Sequence, residues 1–204
     1  MSHDPKEPRL PAHACGCGAN LNRRTILQGA ALGIAGLAGV RPSFAQDAAD
    51  AMPPQAGDFL VSSLGTTPLS PEDIRLNSNP TEAWAMSPDG VVRSGEFTNS
   101  ILLLRYEADA LPPESAAMAG DGVLGYTLIC THSGCPLNTS LDGELIACDC
   151  HGSRFDPKSN GKVAHGPAKR KLPQVALAVA DGKLVIAKGF DSRIGGDSVG
   201  DDDR

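Results

Sequence analysis

Short β-prone apolar runs, none with a helical period, dominate the chain after its first 45 residues. Asp-Gly dipeptides separate several of these runs, and Asp-Gly between apolar runs is a strong hairpin signal. Residues 175–186 give the clearest hairpin, with Asp181-Gly182 as its turn. The predicted strands are Phe59–Ser62, Trp84–Met86, Ile101–Tyr106, Val123–Ile129, Glu144–Ala147, Val175–Val179 and Lys183–Ala187. This pattern predicts an all-β protein.

Two short helical segments interrupt the predicted strands. Ser70–Ile74 is predicted as one helical turn, with Ser70 as its N-cap and Pro71 at the first helical position. A second short helix is predicted at Pro113–Met118. Because neither segment is long enough to cover a sheet, the pattern favours a small antiparallel β barrel or sandwich.

The first 45 residues have the composition of a targeting segment. Arg23 and Arg24 precede a Gly- and Ala-rich apolar run, Ile26–Val40, and a small-x-Ala site ends at Ala45. This order is typical of a twin-arginine export signal. The apolar run is shorter than the ~20 residues that a membrane-spanning helix needs, which favours a cleaved signal over a retained membrane anchor.

Composition divides the rest of the chain into three parts. A Pro- and Ala-rich linker is predicted at residues 46–57, a folded domain at 58–190 and an acidic, Gly- and Asp-rich tail at 191–204, which is expected to be disordered from Gly195 onward. The formal net charge is −6. An acidic chain is a poor match for nucleic acid, because binding phosphates requires basic patches.

Two cysteine–histidine motifs carry the candidate chemistry. They read C-T-H-S-G-C at residues 130–135 and C-D-C-H-G-S at residues 148–153. Each motif pairs one thiol with one imidazole, as C-x-H and C-x-x-H, and adds one further cysteine. Four such ligands in two pairs suit either an iron–sulfur cluster or a closed structural zinc site. Zinc sites more often use C-x₂₋₄-C and H-x₃₋₅-H pairs, so the spacing favours the cluster.

The two motifs resemble those of the Rieske iron–sulfur family. In a Rieske [2Fe–2S] centre two cysteines hold one iron and two histidines hold the other. The resemblance implies that Cys130 and Cys148 bind the inner iron and that His132 and His151 bind the outer iron. It also implies a cluster-binding subdomain inserted into an antiparallel β base.

The same resemblance assigns roles to residues near the motifs. It implies a disulfide between Cys135 and Cys150, as in high-potential Rieske proteins, and a hydrogen bond from Ser153 to a bridging sulfide. Phe155 stands where high-potential members carry a tyrosine that donates to a ligand sulfur. Because Phe155 has no donor, we predict a reduction potential below that of quinol-oxidising members but above that of oxygenase-type Rieske ferredoxins.

A glycine–proline loop follows the second motif. Residues 161–168 match a loop that covers the cluster in many family members, with Gly166 allowing close approach and Pro167 fixing its own φ. Lys169 departs from the proline common in quinol-oxidising members. His165 suits either a surface residue or a proton carrier.

These features together predict an exported electron-transfer subunit with one [2Fe–2S] cluster and no catalytic site of its own. The expected location is the periplasm, with membrane attachment if the signal is retained. The expected partner is a c-type cytochrome or the catalytic subunit of an oxidoreductase, with quinol as a further candidate. A zinc-stabilised binding domain is the alternative. Cys15 and Cys17 lie upstream of the twin arginines and are expected to be removed with the leader.

Overall fold

The computed structural model describes residues 49–197, so the whole predicted leader, residues 1–45 with Cys15 and Cys17, lies outside the described residues. Ten strands form within this range. In chain order, β1 to β10 are Phe59–Ser62, Thr81–Met86, Ile101–Arg105, Val123–Thr127, Leu141–Asp142, Leu145–Cys148, Ser153–Asp156, Lys162–His165, Gln174–Ala180 and Lys183–Lys188. Six of them close into an antiparallel barrel in the order β1-β10-β9-β4-β3-β2. The predicted all-β antiparallel fold is confirmed.

The other four strands form a second antiparallel sheet, in the order β5-β6-β7-β8, which is inserted between β4 and β9 of the barrel. Sequence patterns predicted β6 but not β5, β7 or β8. The strand β7 reads Ser-Arg-Phe-Asp and β8 reads Lys-Val-Ala-His. Strands this short and this rich in charge carry little local signal, because their stability comes from pairing with neighbours.

The strand β3 explains how the barrel and the inserted sheet are joined. Successive side chains of a strand point to opposite faces. Ile101 and Leu103 belong to the hydrophobic cluster inside the barrel, whereas Leu102 and Leu104 belong to a second cluster shared with the inserted sheet. Each fully buried leucine or isoleucine contributes roughly 1.5–3 kcal/mol. The uninterrupted apolar run of β3 is therefore needed because both of its faces are buried.

Turns and short helices follow the predictions closely. In the β9–β10 hairpin Ala180 pairs with Lys183, and both turn residues have positive φ, +50° at Asp181 and +72° at Gly182. Two positive φ values are what a type I′ turn requires. The predicted helices appear as a 3₁₀ turn at Pro71–Asp73 and a short helix, α1, at Pro113–Ala116. No helix among residues 49–197 has the length and apolarity needed to cross a membrane.

The described part of the predicted linker packs on the barrel. Arg93 donates from Nη1 to the Ala49 carbonyl at 3.3 Å. Its Nε and Nη2 donate to the carboxylate of Asp58, the first residue after the linker, at 2.6 and 3.0 Å, and both side chains are buried. The side-chain amide of Asn99 donates to the Met52 carbonyl at 2.9 Å. Residues 49–57 are thus held by hydrogen bonds to residues far along the chain, which composition alone does not reveal.

Candidate metal centre

The first motif forms a tight loop at residues 130–135, hereafter the first loop, after β4. The Cys130 amide donates to the Cys135 carbonyl at 2.8 Å, and the Gly134 amide donates to the Cys130 carbonyl at 3.0 Å. The His132 amide points at the Cys130 sulfur, 3.5 Å away. Cys130 is buried and His132 is half-buried. This loop therefore directs its thiol inward and its imidazole toward the surface.

The second motif forms the turn between β6 and β7, hereafter the second loop, at residues 148–153. Cys148 and Ser153 are paired across the two strands, and the Gly152 amide donates to the Cys148 carbonyl at 3.0 Å. Cys148 is buried, whereas His151 is exposed. The second loop thus repeats the arrangement of the first, with the thiol inside and the imidazole outside.

The fold brings the two loops together tip to tip. The rings of His132 and His151 lie edge to face, with centroids 4.8 Å apart. A disulfide joins Cys135 to Cys150 and so links the loops covalently. Cys130 and Cys148 are the two free cysteines among the described residues. Two thiols and two imidazoles therefore converge from opposite loops, as the motif spacing predicts.

The pKa of the Cys130 thiol reflects its burial beside a second thiol. The pKa of Cys130 is raised to about 11, mainly by burial and also by the adjacent thiol of Cys148, while hydrogen bonds from the His132 amide and the Ser153 hydroxyl oppose the increase. A coordinated metal ion deprotonates a thiol outright. The donor set, with paired buried sulfurs beneath paired nitrogens, thus fits a cluster with two sulfur and two nitrogen protein ligands.

The glycine–proline loop lies against the second loop. Gly166 has φ +87°, and a Cβ there would approach the Ser153 Cα to 2.5 Å and the Gly152 carbonyl oxygen to 2.6 Å. The Ala168 amide donates to Ser153 Oγ at 3.3 Å. Pro167 is exposed beside this contact. Only glycine at position 166 allows the loop to approach the site this closely.

Other residues singled out in the sequence fall around this centre. Phe155 is fully buried in the hydrophobic cluster that the barrel shares with the inserted sheet, and that cluster also contains Cys130 and Cys148. His165 is exposed on β8, where it pairs in register with Arg154. The four predicted ligands converge at the tips of the two loops. His165 is not part of the ring contact between His132 and His151.

Arg154 was not singled out in the sequence, although it holds the second loop. Its Nη1 lies 3.3 Å from the Cys148 carbonyl and 3.2 Å from the Ser153 carbonyl, at the two ends of that loop. Its Nε donates to Asp142 at 2.7 Å, and its Nη2 donates to Asp149 at 3.4 Å. The sequence feature that could have identified Arg154 is its position as a charged residue directly after the second motif.

Fold and site together define a β-barrel metalloprotein whose mixed sulfur–nitrogen centre lies on two loops of the barrel and its inserted sheet. A family model for the Rieske [2Fe–2S] domain matches residues 92–176. The cytochrome bc1 complex Rieske iron-sulfur subunit of Streptomyces lividans is 32% identical over 148 residues, covering 68% of this chain and 85% of that protein. The chain therefore belongs to the Rieske [2Fe–2S] family, and its cofactor is a [2Fe–2S] cluster.

More distant relatives match shorter parts of the chain. The cytochrome b6-f complex iron-sulfur subunit of Chlorobaculum tepidum is 34% identical over 68 residues, which cover 33% of this chain and 36% of that protein. Among solved structures, the plasma membrane Rieske protein PetC3 of Synechocystis PCC 6803 is 24% identical, covers 52% of this chain and 84% of that chain, and has a TM-score of 0.33. The predicted family and cofactor are confirmed by the family model and the Streptomyces relative.

Proposed function

We propose that the protein is a one-electron carrier in which Cys130 and Cys148 bind the inner iron and His132 and His151 bind the outer iron. The bound cluster supplies a one-electron redox couple. The two thiols are buried, and the two imidazole rings meet at the edge of the fold, 4.8 Å apart. That convergence is the observation that carries the proposal, because it provides both a shielded anchor and an exposed route for the electron.

The outward placement of the imidazoles also supports proton coupling. His151 is exposed and His132 is half-buried, so a ring nitrogen of either can exchange protons with solvent or with a docked partner. An added electron makes the site more negative, which raises the pKa of a nearby N–H group. Above the oxidised-state pKa, the potential is expected to fall by about 59 mV per pH unit for one proton per electron. A potential independent of pH into the alkaline range would contradict this coupling.

We propose that the chain works as the iron–sulfur subunit of an exported redox complex. The relatives named above are subunits of cytochrome bc1 and b6-f complexes. The twin arginines at Arg23 and Arg24 support export of the folded protein to the periplasm. A c-type cytochrome or a catalytic oxidoreductase subunit is the proposed partner, with quinol as a candidate reductant. Membrane attachment would follow if the leader is retained.

The hydrogen bonds to sulfur set the expected potential. Ser153 donates to the Cys130 sulfur and thereby stabilises added negative charge, whereas Phe155 has no group that can do so. We therefore place the potential between the quinol-oxidising type and the oxygenase ferredoxins. Rieske centres as a class span roughly −150 to +300 mV.

Metal analysis of the purified full chain tests the assignment. We expect about two irons and two sulfides per chain, visible absorption and a paramagnetic signal on reduction. The variants His132→Ala and His151→Ala should lose the cluster, and His165→Ala is the matched control that should keep it. A colourless protein with stoichiometric zinc would contradict the electron-carrier function and support the zinc-stabilised binding domain instead.

A further inference from the structure

The last described residues lie directly on the first loop. The Asp197 amide donates to the carbonyls of Thr131 and His132, at 3.2 Å each. A Cβ on Gly196 would approach the Ser133 Cα to 2.5 Å and its carbonyl carbon to 2.6 Å. Both are backbone atoms that cannot rotate away, so glycine is required at position 196 for this contact.

Arg170 holds this segment against the loop. Its Nε donates to Asp197 Oδ1 at 2.6 Å, its Nη2 to the Gly195 carbonyl at 2.6 Å and its Nη1 to the Arg193 carbonyl at 3.0 Å. The carbonyl of Arg170 in turn accepts a hydrogen bond from the Thr131 hydroxyl at 2.8 Å. One residue therefore contacts both the C-terminal segment and the first loop.

The geometry of these contacts suits a rigid support. A planar guanidinium with several fixed donors loses little freedom per hydrogen bond formed, unlike a lysine ammonium. Arg170 and Asp197 are each largely shielded, with side chains 28% and 27% exposed. Asp197 also shares a surface depression with His132, Pro167 and Lys169. The segment thus forms one wall of the surface beside a predicted iron ligand.

We propose that residues 193–197 form a brace for the first loop, with Arg170 as the positioning residue that holds the brace in place. The brace keeps the backbone around Cys130 and His132 in the geometry that ligation requires. The claim that the brace helps the protein to retain its cluster rests on the proposed function. The claim that it holds the backbone of the first loop does not depend on that function. Sequence composition predicted an unstructured tail from Gly195 onward, and the structure differs for residues 195–197 because they contact the loop.

Hydrogen exchange of the full chain, followed by mass spectrometry, tests the brace. Peptides covering residues 128–137 report on the first loop, and peptides covering 146–155 report on the second. In Arg170→Gln we expect exchange at the first loop to accelerate about tenfold, the effect of losing one charge-assisted hydrogen bond. Gly196→Ala should also accelerate it, because the new Cβ would collide with the Ser133 backbone. Exchange at the second loop should stay unchanged, and the free energy of urea unfolding should fall by about 1.4 kcal/mol, the equivalent of this tenfold change.

Two variants serve as matched controls. A Cβ on Gly65 meets nothing within 4 Å, so Gly65→Ala should not change exchange at either loop. Lys171 is the sequence neighbour of Arg170 and pairs with Asp191 at 2.6 Å, so Lys171→Gln removes an ion pair outside the brace. Equal exchange in the parent chain and in both brace variants would overturn the proposal, as would equal acceleration at both loops.

Cluster loss to an iron chelator adds a second readout. In the brace variants the visible absorbance should decay faster than in the parent chain, and in the control variants it should decay at the parent rate. A parent chain that holds no iron would contradict the proposed function, but the exchange experiment would still decide whether the brace exists.

Discussion

The two loops of the metal centre are built alike but supported differently. The second loop joins adjacent strands of one sheet, and Arg154, one residue beyond it, holds the carbonyls at both of its ends. The first loop accepts hydrogen bonds from the Asp197 amide, and its Thr131 hydroxyl donates to the Arg170 carbonyl. Asp197 and Arg170 are both remote from the loop in sequence. Both loops are thus closed by local hydrogen bonds, and the first loop also relies on contacts with residues far along the chain.

This difference affects how readily each of the two loops opens. A hairpin turn closes a short stretch of chain, so little conformational entropy opposes it, whereas a contact between residues 132 and 197 closes a long one. We therefore expect the first loop to open more readily than the second. The disulfide between Cys135 and Cys150 joins the two loops covalently and so limits how far they can separate.

Removing that link should have the largest effect. In Cys135→Ser, Cys150→Ser and the double variant, we expect a loss of about 3 kcal/mol in the free energy of unfolding, because the bridge closes a loop with a sequence separation of 15 residues. Urea titration followed by visible absorbance and by circular dichroism measures the loss. With the link gone, exchange should rise more at the first loop than at the second, and an equal rise would contradict the comparison.

Gly166→Ala should be the next most damaging change, and it acts on the second loop alone. The new Cβ would meet the backbone of Ser153 and Gly152 in addition to the left-handed strain, so we expect a loss of roughly 2 kcal/mol or more. Gly143→Ala is the matched control, since φ there is also positive, +66°, but a Cβ meets nothing within 4 Å. Thermal unfolding of both variants isolates the contact, and equal losses would show that the close approach has no effect.

Arg154→Gln should change the reduction potential more than it changes the free energy of unfolding. The guanidinium lies against the Cys148 carbonyl and favours the extra negative charge of a reduced centre, so its loss should lower the potential. An interaction of about 1 kcal/mol corresponds to roughly 40 mV for one electron. Voltammetry measures the shift, and Arg105→Gln, which loses an ion pair with Asp121 on the barrel, should leave the potential in place.

The smallest shifts are expected from the hydrogen bonds to sulfur. Ser153 belongs to the second loop but donates to Cys130 of the first. Because Ser153→Ala removes this one hydrogen bond, it should lower the reduction potential by roughly 40 mV or less. Phe155→Tyr should raise the potential by less than that, because its new hydroxyl must be buried. Voltammetry of both variants checks the signs, and no shift in either would refute the hydrogen-bond account.

Much of this arrangement was predictable because its signals are local. Asp181-Gly182 indicates a hairpin turn through its own backbone preferences, and the apolar run at Ile101 indicates a strand. The family resemblance of the two motifs indicates the cofactor, which the comparisons confirm. The motif spacing also predicts that Cys130 and Cys148 point inward and that the histidines point outward, as they do in the structure.

What escaped prediction depends on partners far apart in the chain. The strands β7 and β8 are stabilised by pairing with each other and with β6. Arg154 contacts backbone carbonyls, which every residue has, and Arg170 contacts Asp197 across 27 residues of sequence. Because every residue has a backbone carbonyl, contacts to carbonyls cannot be predicted from residue types. The residue types and their spacing therefore determined the ligand set of the metal centre. Tertiary contacts decided how each loop is supported, because those contacts form between residues that no local sequence pattern connects.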